Sequence, residues 1–300
     1  MVKLAVKTII SLLFLAGLAR FIDLGSVLER LKSVNVLWVA LACLCLMVGQ
    51  VLSAIRWTWL ARGLGLAVQM SRKIELYFLG MFLSLFLPSI VGGDVARGYL
   101  LARGREGAGW AAAASVILER INGVAGLTVI TTLCMFGLDL PRQWWMAWLG
   151  VVVVLWAGML TYSFWHQRLP GLMKRWQSLP IDQPAFHLAW WKGLLLSVSF
   201  QTLVIESHVI LGHAAGLQMS WPAYGIMVSL VALASAIPVS FNGFGIREAG
   251  YIGFAAYFGA NTEAAAVMAA LWVVVLAVAA GPGAWVLWRL GGSSGIRQRP

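Results

Sequence analysis

The sequence predicts an all-α polytopic membrane protein with about six spanning helices and two re-entrant helical hairpins in an inverted-topology repeat. The first observation behind this prediction is composition: the 300-residue chain is 61% hydrophobic and only 11% charged, whereas soluble domains are about 25% charged. The second is a set of apolar runs long enough to cross a bilayer, which needs roughly 20 residues. The third is the string Pro-x4-Gly-x3-Arg, which occurs once in each half of the chain.

The spanning helices are predicted from apolar runs bounded by polar or basic residues. These runs cover residues 4–22, 36–58, 109–137, 145–165, 192–213 and 264–289. The first twenty residues have Lys3 and Lys7 ahead of an apolar stretch and resemble a secretory signal, but further membrane segments come after them. We therefore expect them to remain as an uncleaved first span.

Two further apolar stretches, residues 77–91 and 224–241, each end in a proline-containing break followed by glycine and polar residues. Cations collect on the cytoplasmic side of membrane proteins. If both stretches crossed the membrane, cations such as Arg97 and Lys192 would fall outside. If both are re-entrant hairpins, most cations, including Arg56, fall inside, together with both termini. The cations left outside are then Arg20, Arg30, Lys32 and Arg142. The charge distribution therefore favours hairpins.

The same topology reveals a repeat within a single membrane domain of residues 1–300. Residues 1–150 and residues 151–300 both read as span, span, hairpin, span, and the two motifs lie 150 residues apart. Because each half has an odd number of spans, the second half is inverted relative to the first. In this topology, Arg120 and Arg247 lie at the depth of the membrane. Inverted repeats with broken helices are typical of secondary transporters, whose substrate site lies near the bilayer midplane.

The first motif predicts a helix break followed by a second helix. Pro88 removes a backbone donor, and Gly92 and Gly93 free the backbone to turn. Asp94 is then placed to cap the second helix, with Arg97 one turn further along.

The second motif repeats this pattern. Its residues are Pro238, Gly243, Arg247 and Glu248, with Asn242 or Ser240 as the candidate cap. Two interpretations stay open for both motifs. In one, they are tight turns whose arginines form salt bridges only. In the other, helix N-termini and an arginine together bind an anionic group such as a phosphate.

Glu119 and Arg120 stand about ten residues into a predicted span, where each unpartnered charge costs several kcal/mol. Adjacent residues point about 100° apart around a helix, so these two need not pair. We expect Asp94, Arg97 and Arg120 to form one cluster that binds substrate, which Asn122 could join. A structural ion pair is the alternative.

Glu206, His208 and His213 lie at the outer end of a span and form a candidate proton relay or cation site. The plainer interpretation is a set of interfacial polar residues. No His-Glu-x-x-His spacing occurs, and the three cysteines lie in apolar runs. We therefore expect no metal, no cofactor and no catalytic residue. The net charge of +11 reflects membrane topology and does not indicate a nucleic-acid partner.

Three sequence blocks in order resemble the flippase-like transmembrane region of lysylphosphatidylglycerol synthases, and the similarity covers nearly the whole chain. The blocks are Leu87-Pro-Ser-Ile-Val-Gly-Gly-Asp-Val-Ala-Arg97, Ala114-Ser-Val-Ile-Leu-Glu-Arg120 and Pro238-Val-Ser-Phe-Asn-Gly-Phe-Gly-Ile-Arg-Glu248. The chain looks like the stand-alone members, which lack the aminoacyl-transferase domain, so no synthase activity is expected. The resemblance implies movement of a lipid or lipid-linked intermediate between leaflets. The positions that match its motif blocks are Asp94, Arg97, Glu119, Arg120, Asn242, Gly243, Arg247 and Glu248.

We therefore expect a lipid transporter or flippase of a bacterial-type inner membrane, with an anionic or lipid-linked head group as its ligand and a transferase as a candidate partner. Alanines stand 150 residues after Glu119 and Arg120, so the first hairpin is expected to bind the head group and the second to act as a gate. Two alternatives stay open. One is a non-catalytic subunit that assists a glycosyl- or acyl-transferase, and the other is a proton or ion channel built on Glu206, His208 and His213.

Overall fold

The computed structural model describes residues 24–67, 69–86, 90–161, 176, 178–237 and 243–292. Every regular element in these ranges is an α-helix, and they contain no strand. The all-α class is thus confirmed for this part of the chain. The predicted span over residues 4–22 and the motif residues Pro88, Pro238 and Asn242 lie outside the described residues.

The helices follow one another with short connections. In chain order they are α1 (Leu24–Ser33), α2 (Val36–Gly63), α3 (Met70–Phe86), α4 (Ile90–Ala102), α5 (Gly109–Phe136), α6 (Arg142–Leu160), α7 (Pro184–Ala215), α8 (Trp221–Ala236), α9 (Ile246–Tyr257), α10 (Thr262–Ala279) and α11 (Gly281–Gly292). Five helical stretches are long and apolar enough to cross a membrane: α2, α5, α6, α7, and α10 continued to Leu290. They coincide with the five predicted spans that fall within the described residues.

Gly93 and Arg97 of the first motif lie in α4, the second of two short helices that pack closely together. Helix α3 has 17 residues and α4 has 13, so at about 1.5 Å per residue neither reaches across a hydrocarbon core of roughly 30 Å. A Cβ atom on Gly80 would lie 3.0 Å from the carbonyl oxygen of Gly93, and one on Gly93 would overlap the carbonyl of Gly80 and the hydroxyl of Ser84. The two glycines therefore let the backbones of α3 and α4 touch.

The second motif stands between α8 and α9, which have 16 and 12 residues. Gly250 of α9 packs against Val231 of α8, and a Cβ on Gly243 would lie 3.0 Å from that of Ser235. Gly243 and Gly245 have φ angles of +79° and +85°, a left-handed conformation that glycine adopts without steric cost. Both motifs thus lie at the break of a pair of short packed helices, although re-entry into a membrane stays a prediction.

The described helices form two compact units that do not coincide with the two halves of the sequence. Residues of the first unit fall in Met1–Gln50, Glu75–Arg97 and Thr202–Pro300, and those of the second in Val51–Ile74 and Gly98–Gln201. Helices α2, α3, α4 and α7 each contribute residues to both units. The division into repeats at residue 150 stays a prediction. A related observation is that α3 and α8 end 150 residues apart, at Phe86 and Ala236.

Within the first unit, α10 packs against α1 and α9, and α8 packs against α9. Within the second unit, α6 is attached to α5 by two indole groups. Trp148 Nε1 donates to Thr132 Oγ1 at 2.9 Å, and Trp156 Nε1 donates to Thr128 Oγ1 at 3.1 Å. Trp148 is the buried residue of α6, and apolar side chains such as Val154 are exposed. An apolar surface of this extent is suited to contact with lipid.

We predict that Gly93→Ala destabilises the protein more than Gly98→Ala, although both changes lie in α4. A methyl group on Gly93 meets the backbone of α3, which cannot move aside, whereas one on Gly98 would lie 3.6 Å from Val116 Cγ2 in ordinary contact. Overpacking of this kind costs about 1–3 kcal/mol, and the gain in helix propensity is common to both variants. Thermal unfolding in detergent should show the lower midpoint for Gly93→Ala. Equal midpoints would contradict the close contact of α3 and α4.

Candidate functional site

The arginine of the first motif is buried within its own hairpin. Arg97 is 2% exposed, and its Nη2 lies 3.0 Å from Asp94 Oδ1, one turn earlier in α4. Its guanidinium carbon lies 4.7 Å from the ring centre of Tyr77 in α3. The hairpin therefore supplies both a counter-charge and an aromatic face to this cation.

Asp94 does not cap the second helix of this hairpin, as the sequence had predicted. Helix α4 already includes Ile90, so Asp94 lies inside the helix, where its carboxylate binds Arg97. The prediction was wrong because Gly92 and Gly93 were expected to stay outside the helix. In the structure they are helical, since Gly93 is needed at the contact with α3.

The second motif uses its carboxylate differently. Glu248 Oε2 accepts a hydrogen bond from the backbone N–H of Gly245 at 2.6 Å and so caps α9. Arg247 is half-buried, 5.9 Å from the ring centre of Phe244. Among the described residues, buried Glu248 Oε1 and Ser235 Oγ have no hydrogen-bond partner. A carboxylate at the N-terminus of α9 weakens that terminus as a binding site for an anion.

Glu119 is fully buried in the second unit and forms an ion pair with Arg56 of α2. Arg56 Nη1 also donates to Ser197 Oγ at 2.7 Å, and Ser197 Oγ donates to Asn122 Oδ1 at 2.7 Å. Asn122 Nδ2 in turn donates to the backbone carbonyl of Trp190 at 3.0 Å. This three-helix polar network, formed by Arg56, Glu119, Asn122 and Ser197, joins α2, α5 and α7.

Two glycines make room for the guanidinium of Arg56. A Cβ on Gly123 would lie 3.4 Å from Arg56 Nη1, and one on Gly193 would lie 3.4 Å from Arg56 Cγ. The ring centre of Phe200 lies 5.9 Å from the guanidinium carbon. The guanidinium thus occupies a niche shaped by backbone and aromatic surface, which holds the ion pair in one geometry.

Sequence reasoning missed Arg56, which the charge distribution had grouped with the cytoplasmic cations. It lies within α2 and is 3% exposed. Lys73 of the same predicted group is also buried, with its ammonium 4.6 Å from the ring centre of Trp57. The available signal was Glu119, because a carboxylate within an apolar helix requires a partner.

Arg120 is exposed, while its neighbour Glu119 is buried. This agrees with the expectation that adjacent residues of α5 point in different directions. Asp94 and Arg97 belong to the first unit and Arg120 to the second, so the predicted cluster of these three residues stays a prediction. Asn122 joins the three-helix polar network.

Glu206, His208 and His213 each have their own partners in the first unit. Glu206 Oε1 accepts from Trp221 Nε1 at 2.5 Å, and the His213 ring packs edge-on against Trp38, 5.1 Å between ring centres. His208 is fully buried against α9 and α10. Within the described ranges, no group of histidine, cysteine, aspartate and glutamate side chains could hold a metal ion. The relay of these three residues stays a prediction.

Five helical stretches long and apolar enough to cross a membrane, with charges buried among them, are typical of a multi-pass α-helical membrane protein. The chain belongs to the family described as the lysylphosphatidylglycerol synthase TM region, whose model matches residues 4–283. The resemblance carried by the three sequence blocks is thereby confirmed.

A curated relative is the UPF0104 membrane protein MJ1595 of Methanocaldococcus jannaschii. It is 28% identical to this chain over 124 residues, which are 41% of this chain and 37% of the relative. The matched segment thus spans well under half of the relative, which is itself described only as a membrane protein.

We predict that Arg56 and Glu119 are strongly coupled in stability. Removal of one partner of a buried ion pair leaves a charge without compensation and costs about 3–5 kcal/mol, whereas replacement of both by apolar residues is much less harmful. Arg56→Met and Glu119→Leu should each lower the thermal unfolding midpoint sharply, and the double variant should recover much of the loss. Arg120→Leu on the exposed side of α5 is the matched control. Additive effects of the two single changes would contradict the ion pair.

Proposed function

We propose that this protein moves a polar or phosphate-bearing lipid, or a lipid-linked intermediate, between the leaflets of a bacterial-type inner membrane. The observation that carries the proposal is the first hairpin, where α3 and α4 hold Arg97 against Asp94 and Tyr77. Burial of an arginine in a membrane protein costs free energy, so a buried arginine commonly marks a pathway for charged or polar groups. The family match and the five spanning stretches support the proposal.

The proposed mechanism uses an exchange of partners at Arg97. In the unliganded protein, Asp94 supplies the counter-charge of the guanidinium through one contact at Nη2. A phosphate can replace the carboxylate because both present two anionic oxygens that can accept from paired N–H groups of arginine. The head group would then cross at the hairpin while the acyl chains remain in lipid. Release returns Arg97 to Asp94, so the ion pair is present before and after each transfer.

The lipid therefore is the expected ligand, and a transferase that makes or consumes it is the expected partner. We expect both termini to lie in the cytoplasm because of the positive-inside distribution of the cations. We propose that the three-helix polar network of the second unit keeps α2, α5 and α7 in fixed positions during lipid transfer. Its charges are buried and satisfied by each other, which suits a structural role better than direct contact with a head group.

The proposal is tested by leaflet transfer in reconstituted vesicles that contain fluorescent phosphatidylglycerol, with dithionite to quench the outer leaflet. We predict that Arg97→Gln slows transfer by about tenfold or more, because a charge-assisted hydrogen bond is worth about 1.5–3 kcal/mol. Arg103→Gln, which changes an exposed arginine just after α4, is the matched control and should transfer at the wild-type rate.

A second pair of variants separates transport from folding. Arg97→Gln leaves Asp94 without its ion-pair partner, whereas Asp94→Asn/Arg97→Gln removes both charges and should restore stability without restoring transfer. If wild-type protein moves the lipid no faster than empty vesicles, or if Arg97→Gln and Arg103→Gln transfer it equally, the proposal fails for this lipid class.

A further inference from the structure

The break between α8 and α9 holds two buried polar atoms that form no hydrogen bond with the described residues. They are Ser235 Oγ, at the end of α8, and Glu248 Oε1, in the first turn of α9. Ser235 is only 6% exposed. Buried polar atoms without a partner cost free energy and are uncommon in folded proteins. Two of them at one helix break therefore indicate a place where a ligand supplies the missing hydrogen bonds.

The Ser235 hydroxyl and the Arg247 guanidinium converge on Gly243. A Cβ atom on Gly243 would lie 3.4 Å from Ser235 Oγ and 3.3 Å from Arg247 Nη2, so both groups border the space that the missing side chain leaves. Glu248 follows Arg247 in the same helical turn, and its second oxygen, Oε2, accepts from the N–H of Gly245 at 2.6 Å. A hydroxyl, a guanidinium and a carboxylate oxygen thus stand at the same helix break, within the first unit.

The chemistry of these groups suits a ligand that carries hydroxyl groups. An ionised carboxylate oxygen only accepts hydrogen bonds, a guanidinium only donates them, and a serine hydroxyl does both. An anion is repelled by Glu248, and a cation is repelled by Arg247. An alcohol can donate to Glu248 Oε1 and accept from Arg247 or Ser235. Two neighbouring hydroxyl groups can therefore satisfy both of the buried atoms that have no partner.

We propose that the second motif binds the hydroxyl groups of a lipid head group, such as those of a glycerol or a sugar. Glu248 Oε1 accepts from one hydroxyl, while Ser235 Oγ and the Arg247 guanidinium bind the other. The part of this inference that concerns transport rests on the proposed function, because it names the class of lipid that is moved. The binding of hydroxyl groups does not depend on transport and is measured separately.

The test compares two anionic lipids that differ only in their hydroxyl groups. Phosphatidylpropanol has the phosphate, the charge and the head-group carbons of phosphatidylglycerol, but neither of its hydroxyls. Delipidated wild-type protein in detergent receives equimolar amounts of both lipids with identical acyl chains, and native mass spectrometry identifies the lipid carried by singly bound protein. We expect phosphatidylglycerol to be enriched about tenfold, because hydrogen bonds to charged groups are stronger than those between neutral groups.

Two variants remove the proposed contacts but no hydrogen bond among the described residues. Ser235→Ala deletes a hydroxyl that has no partner, so the thermal unfolding midpoint should not fall. Glu248→Gln keeps an amide oxygen for the N–H of Gly245 and places a donor where Oε1 accepts. Both variants should take up the two lipids almost equally. Ser199→Ala, which changes an exposed serine of α7, is the matched control and should keep the wild-type enrichment.

An ordered water is the alternative occupant of this break, because water also satisfies buried polar groups. Equal uptake of the two lipids by the wild-type protein, or an enrichment that survives in both Ser235→Ala and Glu248→Gln, would overturn the inference in favour of water. A competition between phosphatidylglycerol and a monoglucosyl diacylglycerol distinguishes glycerol from sugar hydroxyls, and the lipid that wild type prefers should be the one that both variants lose. A hydroxyl-dependent enrichment without leaflet transfer of phosphatidylglycerol would overturn the proposed function and support the binding site.

Discussion

A charged side chain within apolar helices must find its partner inside the protein, and much of this structure follows from that constraint. Lipid offers no water to solvate a guanidinium or a carboxylate, so each buried charge is either paired or very costly. Arg97 is paired locally, by a carboxylate one turn away on the same helix. Arg56 is paired across helices, by Glu119. The local pair lies within one helix, whereas the long-range pair joins α2 to α5 and, through the hydrogen bond of Arg56 to Ser197, to α7.

Close approach of helices is the second requirement, because no hydrophobic effect drives helices together in lipid. Glycines supply this approach at the places where a charge is also held. Gly80 and Gly93 bring α3 against α4 beside Arg97, and Gly283 of α11 sits directly against the backbone of α3 at Phe78. The contact of α11 with α3 is completed by an ion pair between Arg289 and Glu75 at 2.5 Å. Backbone contact and charge pairing therefore occur together around the first hairpin.

The sequence predicted the helical class, the five described spans and the two breaks, because each depends on long apolar runs or on residues that interrupt a helix. It could not predict which charges are buried near the end of a run. Arg56 lies in the last third of α2, where an exposed and a buried cation have the same local sequence context. The partner of Glu119 depends on how α2 packs against α5, and the hydrophobic periodicity of neither helix predicts that packing. The misplaced cap at Asp94 has a similar origin, since a contact with another helix decided that Gly92 and Gly93 are helical.

The two motifs share a pattern of residues, but the carboxylate of each has a different role. Asp94 supplies the counter-charge of its arginine from one turn earlier in the same helix. Glu248 instead satisfies the N-terminus of α9, and the position of Arg247 then depends on the helix as a whole, which His208 secures through Tyr251. The first arginine is therefore held by side chains of its own pair of helices, whereas the position of the second follows the placement of α9 as a whole.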